Sequence, residues 1–259
     1  MRAGMLLAID IGNTNTVLGV FEGEKLERSW RIKTDARSTA DELALTFRGL
    51  LTDHEIDSVS ACSTVPAALR ELRAMLDGYY PNLPTVLVVP GIRTGVSLQY
   101  ENPKEVGADR IVNSLAAHHL VGAQPAIVVD FGTTTNFDVV NERGDFLGGA
   151  LAPGIEISLD ALAARAAQLR KVELVEPRGP IGKNTVEALQ SGILYGFAGQ
   201  VDGLVRRLSA ALAPESPETV EVIATGGLAR LVIEHCETVT RHEPDLTLLG
   251  LRLIYERNV

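Results

Sequence analysis

The strongest constraint on the fold is that the chain repeats itself. Residues 6–21 read LLAIDIGNTNTVLGVF: an apolar run ending in Asp10, a turn of glycine and short polar residues, then a second apolar run. Advancing 120 positions lays residues 126–141, AIVVDFGTTTNFDVVN, on top of it. Asp10 then meets Asp130, Gly12 meets Gly132, Thr14 meets Thr134 and Val20 meets Val140. An internal repeat of this length reports a duplicated supersecondary unit. Behind each copy, residues 22–26 and 142–146 read as a polar turn entering a third strand.

The rest of the chain extends both copies. Strands are predicted over 5–11, 16–21 and 25–32, followed by a helix to about Leu51 that opens on the capping box Thr39-Ala-Asp-Glu42. A strand over 56–63, a helix over 66–77 and a strand over 85–89 complete a β-β-β-α-β-α-β half. Residues 90–107 are irregular, and a loop of that length in a compact domain is often functional. A helix from Asp109 to about Leu120 leads into the second β-β-β run, which is predicted to end at Gly148-Gly149. An alanine-rich helix opens at Pro153-Gly154 and reaches about Leu169. After a loop over 171–183, a second capping box, Asn184-Thr-Val-Glu187, opens a helix of more than six turns to about Ala213. A buried strand over 220–224, the turn Thr225-Gly226-Gly227, a helix over 228–235 and short final strands close the chain. Two α/β halves with mixed sheets follow, residues 1–117 and 118–259.

Composition removes several classes of function. The 24 basic and 33 acidic residues leave a net charge of −9, which argues against nucleic acid or an anionic membrane held by bulk electrostatics. It leaves room for a phosphate held locally by backbone N–H groups. Residues 5–11 are apolar but far too short to cross a bilayer. Cys62 and Cys236 fit no metal or redox spacing and read as reduced thiols of a cytosolic protein. The five histidines show no metal spacing either.

Asp-x-Gly-x-Thr between two strands has a clear chemical use. Glycine at 12 and 132 would let the backbone approach a phosphate at φ values other residues resist. Thr14, Asn15, Thr133 and Thr135 add short donors, and successive turn N–H groups can form an anion nest. Asp10 and Asp130, at strand ends, are placed to hold a cation or its water. A single copy is more simply a side-chain-bonded hairpin; two copies favour a phosphate clamp. The usual nucleotide motifs are missing, since Gly182-Lys183-Asn184-Thr185 resembles the tail of a P-loop but Pro177 stands where its first glycine belongs and Asn184 at its Ser/Thr place. Thr225-Gly226-Gly227, and Gly148-Gly149 with Pro153-Gly154, are further glycine-rich turns. Each is either a helix entry or a place for a flat adenosine group.

Tyr100-Glu-Asn-Pro-x-Glu-Val-Gly-Ala-Asp109-Arg110 is the most distinctive unrepeated segment. Asp109 at a helix mouth reads as an N-cap, as a carboxylate that takes a hydroxyl proton with Arg110 holding the acceptor, or as both. The long helix carries Gly192, Gly196, Gly199 and Gly203 on one face. Interior glycine costs roughly 1 kcal/mol relative to alanine, so another backbone is expected against that face, from this chain or a second subunit.

Taken together, Asp10-Ile-Gly-Asn-Thr-Asn, Gly107-Ala-Asp-Arg110, Asp130-Phe-Gly-Thr, Gly148-Gly-Ala-Leu-Ala-Pro-Gly154, Gly182-Lys-Asn-Thr185 and Thr225-Gly-Gly227 resemble the type III pantothenate kinases, in that family's order. The resemblance implies the acetate-kinase, sugar-kinase, Hsp70 and actin superfamily: duplicated ribonuclease-H-like (actin-like ATPase) domains with mixed sheets and an interdomain cleft. It implies ATP with Mg²⁺ at Asp10, Ile11, Gly12, Asn13, Thr14, Asn15, Thr16, Val17 and Thr133. Asp109 would be the general base toward the primary hydroxyl of pantothenate. Tyr100, Gly107, Ala108, Asp109, Arg110 and Thr185 would contact that substrate, and Asp130 would hold potassium or ammonium. A cytoplasmic homodimer, with no nucleic-acid or membrane partner, is also implied. The second phosphate motif departs from the common Asp-Phe-Gly-Thr-Ala-Thr-Thr at Thr134 and Asn136. Another acceptor within the superfamily, or a non-catalytic relative, stays open at this level.

Overall fold

Each copy of the repeat folds as an antiparallel hairpin at the heart of a five-stranded sheet. The computed structural model describes residues 4–165 and 172–259. In the first sheet, β1 (Met5–Ile11) pairs with β2 (Asn15–Glu22) and β2 with β3 (Lys25–Lys33). On its other side β1 pairs parallel with β4 (Ser58–Ser63), and β4 with β5 (Thr85–Leu87), giving the order β3-β2-β1-β4-β5. In the second, β6 (Ala126–Phe131), β7 (Thr134–Val140), β8 (Phe146–Pro153), β9 (Glu221–Thr225) and β10 (Arg241–His242) take the order β10-β9-β6-β7-β8. Read from the third strand of each copy, the two orders are identical. The duplication expected from the sequence is therefore present as topology.

The hairpins do not keep one constant offset. Ile11 pairs with Thr16 across the first turn, but Phe131 pairs with Thr135 across the second. The second turn is one residue shorter, so 120 holds as far as Gly132 and 119 thereafter. Thr135, not Asn136, takes the place of Thr16.

β1 reads as an unbroken apolar run because it is buried on both faces. Leu7, Ile9 and Ile11 pack with Phe47 of α1 (Ala40–Leu50) and with Leu72 and Met75 of α2 (Pro66–Tyr79). Leu6 and Ala8 point the other way, onto Val112 and Leu115 of α3 (Ala108–Val121) and Leu251 and Ile254 of α7 (Leu246–Asn258). Asp10 shares the parity of Leu6 and Ala8, so the period of a strand aims it toward the face that α3 covers. In the second sheet Ile127, Val129, Phe131 and Phe137 form a core with α4 (Ile155–Arg165) and α5 (Thr185–Leu212). The short α6 (Ala229–Val232) continues as a 3-10 turn over Ile233–His235, where one helix is predicted.

The chain divides into two compact units. The first takes the residues up to Val96 together with Asn102–Ala116 and Thr247–Val259; the second takes Ser97–Glu101 and Ala117–Leu246. α7 is the largest departure from the sequence reading, which has short strands there. Leu246, Leu248, Leu251, Leu253, Ile254 and even Arg252 are buried, and a helix apolar nearly all round shows no amphipathic period. Gly250 lets it approach α3, since a Cβ there would overlap the Val112 carbonyl.

Other differences are local. β8 runs through Gly148-Gly149 to Pro153, so those glycines are strand residues and not a turn. The Thr39 capping box is complete. At α5, Asn184 accepts the Glu187 N–H at 3.0 Å, but the Glu187 carboxylate takes the N–H of Lys183 and not that of the cap. The predicted end of the alanine-rich helix at Leu169 lies outside the described residues. Among the described residues, no helix is long and apolar enough to cross a membrane.

Candidate active site

The two turns close in related ways. Gly12 donates its N–H to the Asn15 carbonyl and Gly132 to the Thr134 carbonyl, each at 3.0 Å. Neither glycine has positive φ, so the expectation that unusual φ values make them glycine is not met. What Gly12 provides is room. A Cβ on Gly12 would sit 3.2 Å from the Asn15 oxygen, and one on Gly132 would be in ordinary contact. Asn13, Thr14, Gly132 and Thr133 are open to solvent or nearly so, while Thr16 and Thr135 are buried. The Thr16 hydroxyl is tied to that of Thr34 at 2.9 Å. Thr134 donates to the Asn136 side chain at 2.7 Å, so the two unusual residues of the second motif satisfy each other.

In the first unit Asp10 meets the start of α3. Its carboxyl is raised to about 6, first by desolvation and then by the charge of Asp109; the Cys62 thiol and the Arg31 charge act the other way. Asp109 is also raised, chiefly by burial, against stabilisation from the Arg110 backbone N–H. Two carboxyls both raised by burial, one of them also by the charge of the other, are a common mark of a functional site.

Asp109 is not the cap of α3. The helix begins at Ala108, and Gly107 accepts the first intrahelical bond from Ile111 at 3.3 Å. Asp109 is thus free to turn inward, and its Oδ1 is buried with no hydrogen-bond partner. An orphaned carboxylate oxygen costs stability and is suited to accept a proton from something not yet bound. Gly107 makes this possible, because a Cβ there would overlap that same oxygen. Arg110 follows, 8% exposed.

The second unit holds the remaining predicted residues. Asp130 is the next-to-last residue of β6, and the turn after β9 fits around it. Gly226 has φ +93°, and a Cβ on it would come within 2.6 Å of both Asp130 Oδ1 and the Phe131 carbonyl. A carboxylate and a carbonyl oxygen thus converge around a residue that must be glycine. Gly154 seats against the second turn in the same manner, its absent Cβ facing the carbonyls of Gly132 and Thr133. Tyr100 packs on Phe146 with ring centres 5.9 Å apart and sits over Gly148, while Thr185 is the exposed first residue of α5. The structure groups Asp10, Gly107, Ala108, Asp109 and Arg110 in the first unit, and Tyr100, Asp130, Thr133 and Thr185 belong to the second. No set of three or more His, Cys, Asp or Glu suited to a metal occurs among the described residues. Cys62, which reads from sequence as no more than a reduced thiol, and Arg31 both act on Asp10; they lie far along the chain from it and carry no motif.

Comparison with known proteins decides the family. A family model described as type III pantothenate kinase matches residues 6–207. The chain belongs to the type III pantothenate kinases. It is 66% identical over 255 residues to the type III pantothenate kinase of Frankia alni, covering 98% of this chain and 100% of the relative. Identity is again 66%, over 257 residues and with the same coverage, to that of Salinispora arenicola. Among solved structures, a ROK family glucokinase from Streptomyces griseus superposes with a TM-score of 0.51 at 14% identity, covering 98% of this chain and all of that one. That likeness speaks to fold, and it agrees with duplicated ribonuclease-H-like units. Members of this kinase family use ATP with a divalent metal, and the two turns carry the exposed threonines Thr14 and Thr133.

Proposed function

We propose that the chain transfers the γ-phosphoryl group of ATP to the primary hydroxyl of pantothenate, giving 4'-phosphopantothenate, the first step of coenzyme A biosynthesis. Full-length identity of 66% to named type III pantothenate kinases carries this reading. Phosphoryl transfer asks for positioning and charge neutralisation more than for covalent chemistry. Mg²⁺ enters with the nucleotide and neutralises its phosphates. Residues 10–17, Asp10 through Val17, and Thr133 take the ATP phosphates. Asp109 accepts the hydroxyl proton. The unpartnered Oδ1 supports that role, as does a pKa raised by burial, which makes the carboxylate a better base. Tyr100, Gly107, Ala108, Arg110 and Thr185 hold pantothenate.

Asp130 holds potassium or ammonium. The convergence of its Oδ1 with the Phe131 carbonyl around Gly226 suits a hard cation that prefers oxygen donors. The active form is a cytoplasmic homodimer. The four glycines of α5 support this, since a Cβ on Gly192, Gly196 or Gly199 would meet nothing within 4 Å and one on Gly203 only its own helix's Arg207. The described residues therefore offer no backbone to fill that face, and a second copy would.

Pantothenate-dependent release of ADP, assayed in potassium, ammonium and sodium salts and against a panel of sugars, tests the proposal. Turnover with pantothenate alone, and more in potassium or ammonium than in sodium, is expected. Turnover with a sugar instead would overturn the substrate; equal rates in all three salts would overturn the cation.

A further inference from the structure

Asp10 is held by a side chain from the neighbouring strand. The parallel register of β1 and β4 sets Cys62 beside Asp10, and the Cys62 thiol donates to Asp10 Oδ1 at 3.3 Å. Cys62 is 1% exposed. Burial and the charges of Asp10 and Asp109 push its thiol well above its ordinary range, so it stays protonated and acts only as a donor. The next residue does the same for the backbone, as the Ser63 hydroxyl donates to the Ile11 carbonyl at 3.2 Å and the Thr64 N–H to the same oxygen at 3.1 Å. The end of β4 thus fixes both the carboxylate and the strand end that feeds the first turn.

The duplicated sheet repeats the register. The parallel register of β6 and β9 sets Thr225 beside Asp130, and Thr225 is 2% exposed. In both sheets the residue before this position is a buried alanine, Ala61 or Ala224. A small, buried side chain with a hydrogen to give therefore stands next to the strand-end aspartate twice, on two strands that the repeat read from the sequence did not include.

We propose that Cys62 is a positioning residue for phosphoryl transfer, its thiol holding the Asp10 carboxylate in the orientation that engages the nucleotide. This rests on the reading of Asp10 as an ATP-binding residue. It differs from a packing role in a measurable way. Serine keeps a donor in nearly the same volume, and alanine removes it. If Cys62 only fills space, a serine hydroxyl in that buried place is at least as harmful as alanine; if it positions Asp10, serine is the better replacement.

Cys62→Ser, Cys62→Ala, Cys62→Val and Asp10→Asn are compared by kcat and KM for ATP and for pantothenate, with urea unfolding recorded for each. A thiol is a weak donor but its acceptor is charged, so Cys62→Ala is expected to lose roughly five- to twenty-fold in kcat/KM for ATP. KM for pantothenate should stay within about two-fold, and Cys62→Ser should recover most of the loss. Cys62→Val, closer in volume and also without a donor, should behave like alanine and serves if the alanine variant does not fold. Wild-type kinetics in the folded donor-free variants, or a serine variant no better than alanine, overturns the proposal. Full turnover by Asp10→Asn overturns the reading of Asp10 and the proposal with it. That result is distinct, because it leaves the Cys62 series without a target.

Discussion

Asp10→Asn is expected to make the protein more stable while disabling it. Folding raises the Asp10 carboxyl from 3.8 to about 6, mainly by desolvation. At 1.36 kcal/mol for each pKa unit, the difference of 6 − 3.8 amounts to about 3 kcal/mol. Asp10 keeps some contact with solvent, which reduces this to roughly 2 kcal/mol. The sign follows from linkage. Above pH 6 the folded protein carries a carboxylate that would be better solvated unfolded, so the unfavourable contribution is fully present there. It is relieved as pH falls from about 6 toward 3.8, where the folded state binds the proton first. Asparagine is nearly isosteric, neutral throughout, and still accepts from Cys62. The variant should therefore gain roughly 2 kcal/mol at pH 8, progressively less below pH 6, and almost nothing near pH 4. Trp30, the single tryptophan, lies in β3 of the same sheet, so its fluorescence during urea unfolding reports on the unit that carries Asp10. No gain at pH 8, or one that does not change with pH, would refute the desolvation argument.

Gly107→Ala should lower kcat by roughly 10²-fold with circular dichroism unchanged, because displacing a reacting group by about 1 Å costs that much and the new Cβ overlaps Asp109 Oδ1. The pH profile of kcat/KM should fall on the acid side near pH 6, since Asp10 titrates there and Asp109 is raised as well; a plateau down to pH 4.5 would contradict this. Gly196→Leu on the open face of α5 should shift sedimentation from dimer to monomer.

What the sequence revealed depended on how local each signal was. The hairpins, their strand-end aspartates and the capped helices α1 and α5 follow from residues adjacent in the chain, and all are present. The glycine-rich turn after β9 is there too, with Gly226 at φ +93°. Features set by distant contacts were not legible. α7 is helical although its apolar residues show no helical stripe, because the first sheet and α3 bury it nearly all round. Gly148-Gly149 resembled a turn but lies in β8, where a Cβ on Gly149 would overlap the Phe137 carbonyl. The one-residue shortening of the second turn was hidden because threonines and asparagines fill both turns, so a shifted alignment still matches like with like. In the site, the Asp109 segment was distinctive, but its release from capping depends on α3 starting at Ala108. Cys62 reaches Asp10 only through a strand pairing across 52 residues.

The proposed transfer turns on Asp109 taking the proton of the acceptor hydroxyl. The most direct test is single-turnover transfer of labelled phosphate from ATP to pantothenate by Asp109→Asn, with ATP binding measured separately. The amide keeps the size of the carboxylate and cannot act as a base, so the transfer rate should fall by roughly 10²–10⁴-fold while ATP still binds. Transfer at close to the wild-type rate would show that Asp109 is not the base.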